Sequence, residues 1–307
     1  LGLSGEQPET VNLDNIDNTI AKIEQTGKIK LGGKREVILQ PQTDIHFIDE
    51  QLKLHENGLK FHAYAASKDK TKGEELYSNT FYSVGGGFIK DEAHFHNRID
   101  LTSGEAPYAY STAEKLLKLC NENSLSISTL VLMNESAIHK QRKRDIIQQL
   151  NTKIWGTMKS CMKRGLKTEG TLPGKLRLER RAPSMYRMMK SSSRHQADPL
   201  SVVDWMSLFA LAVSEENAAG GRMVTAPTSG ACGVVPAVLE YFNHYVHRTT
   251  PEENARYLLT CGAVGLLYKM NASISGAEVG CQGEVGVAAS MAAAGLTELQ
   301  NADPLRV

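Results

Sequence analysis

Hydrophobic and polar positions change period once along this chain. From Glu36 the period is two: Val37 and Leu39, then Ile45 and Phe47, alternate with polar residues, as half-buried strands do. Leu59, Phe61 and Ala63 alternate again, and Leu76 to Val84 reads as the returning strand, ended by Gly85-Gly86-Gly87. The charged Lys68-to-Lys72 run with Gly73 predicts an exposed hairpin tip, and a polar, weakly amphipathic segment, Asn15 to Gln25, precedes the strands. A small antiparallel β portion over 30–90 is expected. Residues 91–110 are polar, with His94, His96 and Pro107, and mark the boundary between residues 1–105 and 106–307. After it the helical period takes over. Ser111 with Glu114 forms a capping-box pattern before Leu116, Leu117 and Cys120. Ile146, Ile147, Leu150, Ile154, Trp155, Met158 and Met162 make one apolar face, with Gly165 where a C-terminal glycine is wanted. Asp198-Pro199 opens a helix from Leu200 to Val213 that is apolar on nearly all sides and therefore central. Thr250-Pro251 with Glu253 repeats the device before Tyr257 to Tyr268, and Gly283 to Leu299 is rich in Ala and Gly, which lets helices pack closely. The fold class is α+β: a mixed α/β part with antiparallel strands, then a mostly α-helical part.

Composition narrows the partners. Apolar residues make 41% and charged ones 22%, as in ordinary globular proteins, so the 307 residues fit one large or two ordinary domains. A formal net charge of +1 gives no electrostatic case for nucleic acid or an anionic membrane. No apolar run approaches the ~18 residues of a membrane span, and no signal peptide is visible. Five widely spaced cysteines (Cys120, Cys161, Cys232, Cys261, Cys281) suit a reducing cytoplasm better than a disulfide framework. The chain starts at Leu1 and stops at Val307 just after a helical run, as a fragment of a longer protein would.

Glycine shows where to look. Of 26 glycines, three lie at 85–87, four in 220–233 and four in 276–286. The stretches Glu215 to Gly233 and Asn271 to Gly286 are polar and glycine-dense, and each is flanked by apolar runs, so they read as two walls of one site. Backbone N–H groups in such loops favour an anion, here a carboxylate. Neither a dinucleotide-binding nor a phosphate-loop glycine motif is present, which disfavours nucleotides. Cys281 is open to two readings: a buried small hydrophobe, or a thiolate metal ligand at a helix start. Lys269 is a carboxylate-pairing lysine or the Schiff-base lysine of a pyridoxal-phosphate enzyme. Arg222 is a capping arginine or a two-toothed carboxylate clamp. His55, in His-Glu-Asn-Gly, is an acid–base candidate because imidazole titrates near neutrality.

These motifs carry a resemblance. Asn271 to Gly286, Glu215 to Gly233, Tyr82-Ser-Val-Gly-Gly-Gly-Phe88, His55-Glu-Asn-Gly58 and the Thr168 to Gly174 stretch together resemble bacterial iron–sulfur L-serine dehydratase, along essentially the whole chain. Residues 1–105 resemble part of that family's α+β (beta-type) domain, and residues 106–307 its helical catalytic (alpha-type) domain, truncated at its C-terminus. The resemblance implies β-elimination of hydroxide from L-serine, giving pyruvate and ammonia, at an open iron of a [4Fe–4S] cluster held by three cysteines. Of these, Cys281 alone has a counterpart here, so this chain by itself is expected to be inactive. It also implies a role in amino-acid degradation and gluconeogenesis.

The expected catalytic residues are His55 and Ser83, although a histidine outside this chain is the expected base. Gly85, Gly86, Gly87, Gly220, Gly221, Arg222 and Thr225 are assigned to the substrate carboxylate and amine. Asn217, Thr228, Lys269, Asn271, Ser273 and Ser275 are further substrate-side candidates, and Cys281 is the metal ligand. The expected partners are L-serine and a second copy in a homodimer, in the cytoplasm. Two rival readings remain: a pyridoxal-phosphate dehydratase using Lys269, and a non-catalytic ligand-binding fragment.

Overall fold

In the computed structural model, which describes residues 1–65, 73–97, 106–191 and 198–307, the chain divides into two units, Leu1–Leu52 and Lys53–Val307. The first unit starts with a short 3-10 turn, Gly2–Ser4, and a second at Leu13–Asn15, where Asn12 caps by accepting the Asp14 N–H. Helix α1 (Ile16–Thr26) stops at Gly27, whose φ of 62° lets its N–H reach back to the Ile23 carbonyl. Strands β1 (Lys28–Leu31) and β2 (Arg35–Ile38) form an antiparallel hairpin with Ile29 opposite Val37, and Ile29 is buried. A single helical turn, α2 (Pro41–Asp44), follows.

That turn corrects the alternation expected at Ile45 and Phe47. Pro41 opens it, and the Asp44 carboxylate accepts the Gln40 N–H at 2.7 Å, so the chain curls instead of extending. Residues 45–52 then form no strand, and Phe47 is 98% exposed. Strand β1, in contrast, was not anticipated.

The second unit opens with a three-stranded antiparallel sheet in the order β3 (Gly58–Tyr64), β4 (Glu75–Ser83), β5 (Ile89–Asp91). Gly58 pairs with Tyr82 and Ser83 with Ile89. Thr80 and Tyr82 face inward on one side, whereas Leu59, Tyr77 and Ile89 stay exposed on the other. The expected hairpin tip at Lys68 to Lys72 lies outside the described residues, as do residues 98–105 beside the expected domain boundary.

The helices are α3 (Ala113–Asn123), α4 (Ile127–Ile138) and α5 (Lys143–Gln149), the last running through a π-helical stretch, Leu150–Trp155, into α6 (Gly156–Gly165). Then come α7 (Ala182–Ser191), α8 (Ser201–Ala218), α9 (Val234–Tyr241), α10 (Pro251–Asn271) and α11 (Gly276–Leu299). With antiparallel sheets first and helices after, the fold is α+β.

Local caps close the starts of α3, α4 and α10. Thr250 and Glu253 close the expected capping box before α10. At α3 the cap is Thr112, one residue beyond the expected Ser111, and it accepts the Lys115 N–H at 3.2 Å. Two helices are capped from elsewhere in the chain. The buried Glu215 carboxylate takes the Arg181 and Ala182 N–H groups at the start of α7. The buried Glu298 carboxylate takes the Ser128 N–H at the start of α4 and the Thr260 hydroxyl.

The helical part packs around three hydrophobic clusters. Trp155, Met158, Leu239, Tyr257 and Met291 gather α6, α9, α10 and α11. Met162, Met189, Trp205, Leu208 and Phe209 gather α6, α7 and α8. Leu116, Cys120, Leu130 and Ala263 join α3, α4 and α10. Glycine sets the close approaches. Gly295 of α11 lies on Cys261 and Tyr257 of α10, and Gly165 of α6 lies on the backbone of Ala212 in α8. Gly165 is therefore a packing glycine, which corrects its expected role as a left-handed helix stop; Leu166 after it is still right-handed.

Alanine in place of glycine inside an exposed helix stabilises by roughly 1 kcal/mol. Gly165→Ala is expected to do the opposite, because its Cβ would collide with the Ala212 carbonyl. A loss of about 1–3 kcal/mol is expected in urea unfolding.

Candidate functional site

The site is built from a break in a helix. Within α11, Gly280 has φ 70° and ψ 176°, a conformation open essentially to glycine alone. The break leaves a single turn, Gly276–Val279, and starts the long helical run at Cys281. Cys281 is the exposed cysteine of the chain; Cys120, Cys161, Cys232 and Cys261 are buried. Burial pushes the Cys120 and Cys232 thiols up to about 11 and Cys161 to about 12, and raises Cys261 further. Those four are core thiols, and of the two readings of Cys281 the buried hydrophobe is corrected.

Around this break several expected site residues come together. Gly85, Gly86 and Gly87 all take positive φ, between 61° and 85°. A Cβ on Gly85 would lie 2.9 Å from the Ile274 carbonyl oxygen and 3.0 Å from Ser275 Cα. One on Gly86 would lie 3.0 Å from the Pro227 carbonyl. The loop after β4 thus sits directly on both glycine-dense stretches. Lys269, in the last turn of α10, places its ammonium 4.6 Å from the Phe88 ring centre and 3.5 Å from the Val84 carbonyl oxygen. Burial, followed by the nearby Lys90, lowers its pKa, and Glu278 partly offsets this.

His55 is buried against the same break. Its Nδ1 accepts the Asn57 N–H at 3.0 Å. Its Nε2 lies 3.3 Å from Ser275 Oγ and 3.4 Å from Glu278 Oε1. Ser273 Oγ accepts the Ser275 N–H at 3.1 Å. The second glycine wall closes from the other side: the Glu284 carboxylate rests against Gly230 and Gly276, where any Cβ would meet it. Cys281 and Glu284 stand three residues apart, on one face of the helix.

Other candidates are placed differently. Asn217 donates to the Ser229 carbonyl at 3.0 Å and so braces its own loop. Gly221 packs on Glu216, to whose carbonyl it donates at 2.8 Å, and that carboxylate is held by Arg180 at 2.6 Å and Arg164 at 3.1 Å. Gly220 has φ 74° at the same turn, Arg222 is half-buried beyond it, and Thr225 is exposed. Thr228 is buried and its hydroxyl has no hydrogen-bond partner. Asn271 donates to the Ser111 and Leu267 carbonyls, both at 2.8 Å, and ties down the end of α10. Ser83 is exposed at the end of β4, where its N–H donates to the Asn57 carbonyl.

Two acidic residues were passed over in the sequence, Glu278 and Glu284. The Ser275-x-x-Glu278 spacing carries a capping-box signal that would have drawn attention to the first. No group of three or more His, Cys, Asp or Glu side chains that could hold a metal ion forms among the described residues. Cys281 is exposed at the start of its helical run, and the described residues place no such group around it. No described helix is long and apolar enough to cross a membrane.

Comparison with known proteins gives the chain's family. Residues 122–307 match the family model for the serine dehydratase alpha chain, and residues 1–94 match that for the serine dehydratase beta chain. Over its full length the chain is 48% identical to L-serine dehydratase 1 of Escherichia coli K12. It is 44% identical to an L-serine dehydratase of Streptomyces coelicolor and 37% identical to one of Helicobacter pylori. In each case the chain spans 66% of the relative's length. This chain belongs to the serine dehydratase family, with its beta-chain and alpha-chain regions in one polypeptide.

Proposed function

We propose that this chain supplies most of the substrate pocket of an L-serine dehydratase, an ammonia-lyase that takes L-serine to pyruvate and ammonia. The observation that carries this reading is the meeting of three glycine loops, at 84–88, 226–233 and 273–276, beside an exposed thiol at a helix start. Serine is small and doubly charged, so a pocket for it needs backbone donors close by and few bulky side chains. The Gly85–Gly87 loop is assigned to the substrate carboxylate and amine; Gly221, whose N–H is taken by the Glu216 carbonyl, is not. The buried Thr228 hydroxyl, lacking a protein partner, suits a ligand's polar atom, because buried hydroxyls are almost always paired.

Cys281 is assigned as this chain's ligand to a [4Fe–4S] cluster. Such a cluster, when bound, would supply a Lewis acid for the departing β-hydroxyl. Release of serine's α-proton needs a base, and that group is not assigned within this chain. The pyridoxal-phosphate reading through Lys269 has less support: burial lowers the lysine's pKa, which suits it, but no phosphate-loop glycine motif accompanies the lysine.

Three results would test this reading. In the cluster-free protein at pH 8, a maleimide is expected to label Cys281 fast and this chain's other four thiols only after denaturation, since Cys281 is exposed and burial both covers and raises the other four; labelling of Cys120, Cys161, Cys232 or Cys261 as fast as Cys281, mapped by mass spectrometry, would contradict it. In the intact protein that carries this chain, Cys281→Ser is expected to lose most of its bound iron and its broad visible absorbance. Full iron content would remove Cys281 from the centre. Gly85→Ala is expected to lower kcat/KM for L-serine on the order of 10²-fold, by pushing the loop off Ile274. Gly262→Ala, where nothing lies within 4 Å, is the matched control and should change little.

A further inference from the structure

Ser275 and Glu278 occupy the two positions that ordinarily close a capping box. In that motif the serine hydroxyl accepts the N–H three residues on, and the glutamate carboxylate accepts the N–H of the cap. Here the box is open. Ser275 makes no side-chain cap bond, and its own N–H donates to Ser273 Oγ. Both side chains turn instead onto His55 Nε2, at 3.3 Å and 3.4 Å. The His55 side chain is 2% exposed and that of Glu278 49%, so two polar groups have been spent on one buried ring.

The other ring nitrogen settles the proton's place. Nδ1 accepts the Asn57 N–H, and a nitrogen that accepts carries no proton. The proton therefore sits on Nε2, facing Ser275 Oγ and Glu278, and both nitrogens are engaged within the protein. The ring's one basic lone pair, on Nδ1, is taken by the Asn57 N–H and is not open to take a proton from a substrate. The charged side chain facing the ring is Glu278; Lys269 lies within electrostatic reach of Glu278, and the Phe95 ring is 6.5 Å away.

Asn57 extends the connection. Its carbonyl accepts the Ser83 N–H at 2.9 Å, at the end of β4 and just before the glycine loop. One chain of hydrogen bonds thus runs from β4 through Asn57 and His55 to the turn that precedes Gly280 and Cys281. We propose that His55 is a positioning residue, the fixed point to which Ser275 and Glu278 fasten that turn, and through which Cys281 is held in register with the Gly85–Gly87 loop. This inference rests on the function proposed above for its activity readout.

The test uses the intact protein that carries this chain. Glutamine at position 55 keeps an amide N–H near the Nε2 position but does not titrate near neutrality. His55→Gln is expected to keep serine turnover within roughly ten-fold of wild type, with an unchanged shape of the pH–rate profile, whereas His55→Ala is expected to lose about a hundred-fold or more. If His55→Gln falls as far as His55→Ala, or one limb of its profile disappears, His55 is an acid–base group and the proposal is overturned. A second measurement needs no turnover. Nitrogen-15 NMR of histidine-labelled protein, assigned with His55→Gln, should show a proton on Nε2 and none on Nδ1; the reverse tautomer overturns the proposal. If wild-type protein turns over no serine, the proposed function fails, and the tautomer measurement still decides this inference.

Discussion

The candidate site depends on backbone lying against backbone. Gly85 and Gly86 meet the 274–275 backbone and the Pro227 carbonyl at distances that leave no room for a methyl group. Three consecutive positive φ values bend the loop onto that surface, and a β-carbon at any of them would add strain. No side chain could make the same contact, since any side chain would hold the segments further apart. The absence of Cβ atoms therefore sets how closely these segments approach. Gly230 and Gly276 do the same on the far wall, where the Glu284 carboxylate takes up the space.

Loops this bare need a stiff frame, and buried carboxylates contribute it. Glu215 caps α7 from the last turns of α8, and Glu298 caps α4 from the end of α11. Each puts a negative charge where a helix presents unpaired N–H groups, so the cost of burying the charge is offset by bonds to those groups. The Glu216 carboxylate, beside Glu215, carries two arginines, and the Glu216 backbone carbonyl accepts the Gly221 N–H. The root of the 219–233 loop is therefore fastened by adjacent acids on one helix, one reaching α7 and the other Arg164 and Arg180. Breaking such a buried pair by removing one partner typically costs about 3–5 kcal/mol, because the other charge is stranded.

Much of this was legible in the sequence. Period-two runs located β3 and β4, and the Thr250-Pro251 and Glu253 pattern located the start of α10, because each of those signals is local. Glycine density pointed to the two walls that the structure brings together. Signals failed where the cause was distant. The alternation at Ile45 and Phe47 had no partner strand, and the turn opened by Pro41 decided the conformation. Gly165 sat at a helix end for reasons of packing on Ala212, a residue 47 positions later that no local pattern reveals. Glu278 was hidden for a related reason: its spacing from Ser275 signals a cap, whereas its contact is with His55, far away in sequence.

Gly280 links these observations physically. A continuous helix through residue 280 would bury the N–H groups of Cys281 and its neighbours in the regular i→i−4 ladder. It would also leave Ser275 and Glu278 as an ordinary helix start, with the capping box as their best use. The break shortens the first segment to one turn, which has little helix to stabilise and so gains little from a cap. The side chains of Ser275 and Glu278 are thereby free to hold His55, and the same break exposes the thiol of Cys281 at the start of the next segment. One residue with φ 70° therefore accounts both for the exposed sulfur and for the polar grip beside it. Any side chain at position 280 would strain that conformation, and the relaxed alternative, a straight helix, would remove both features together.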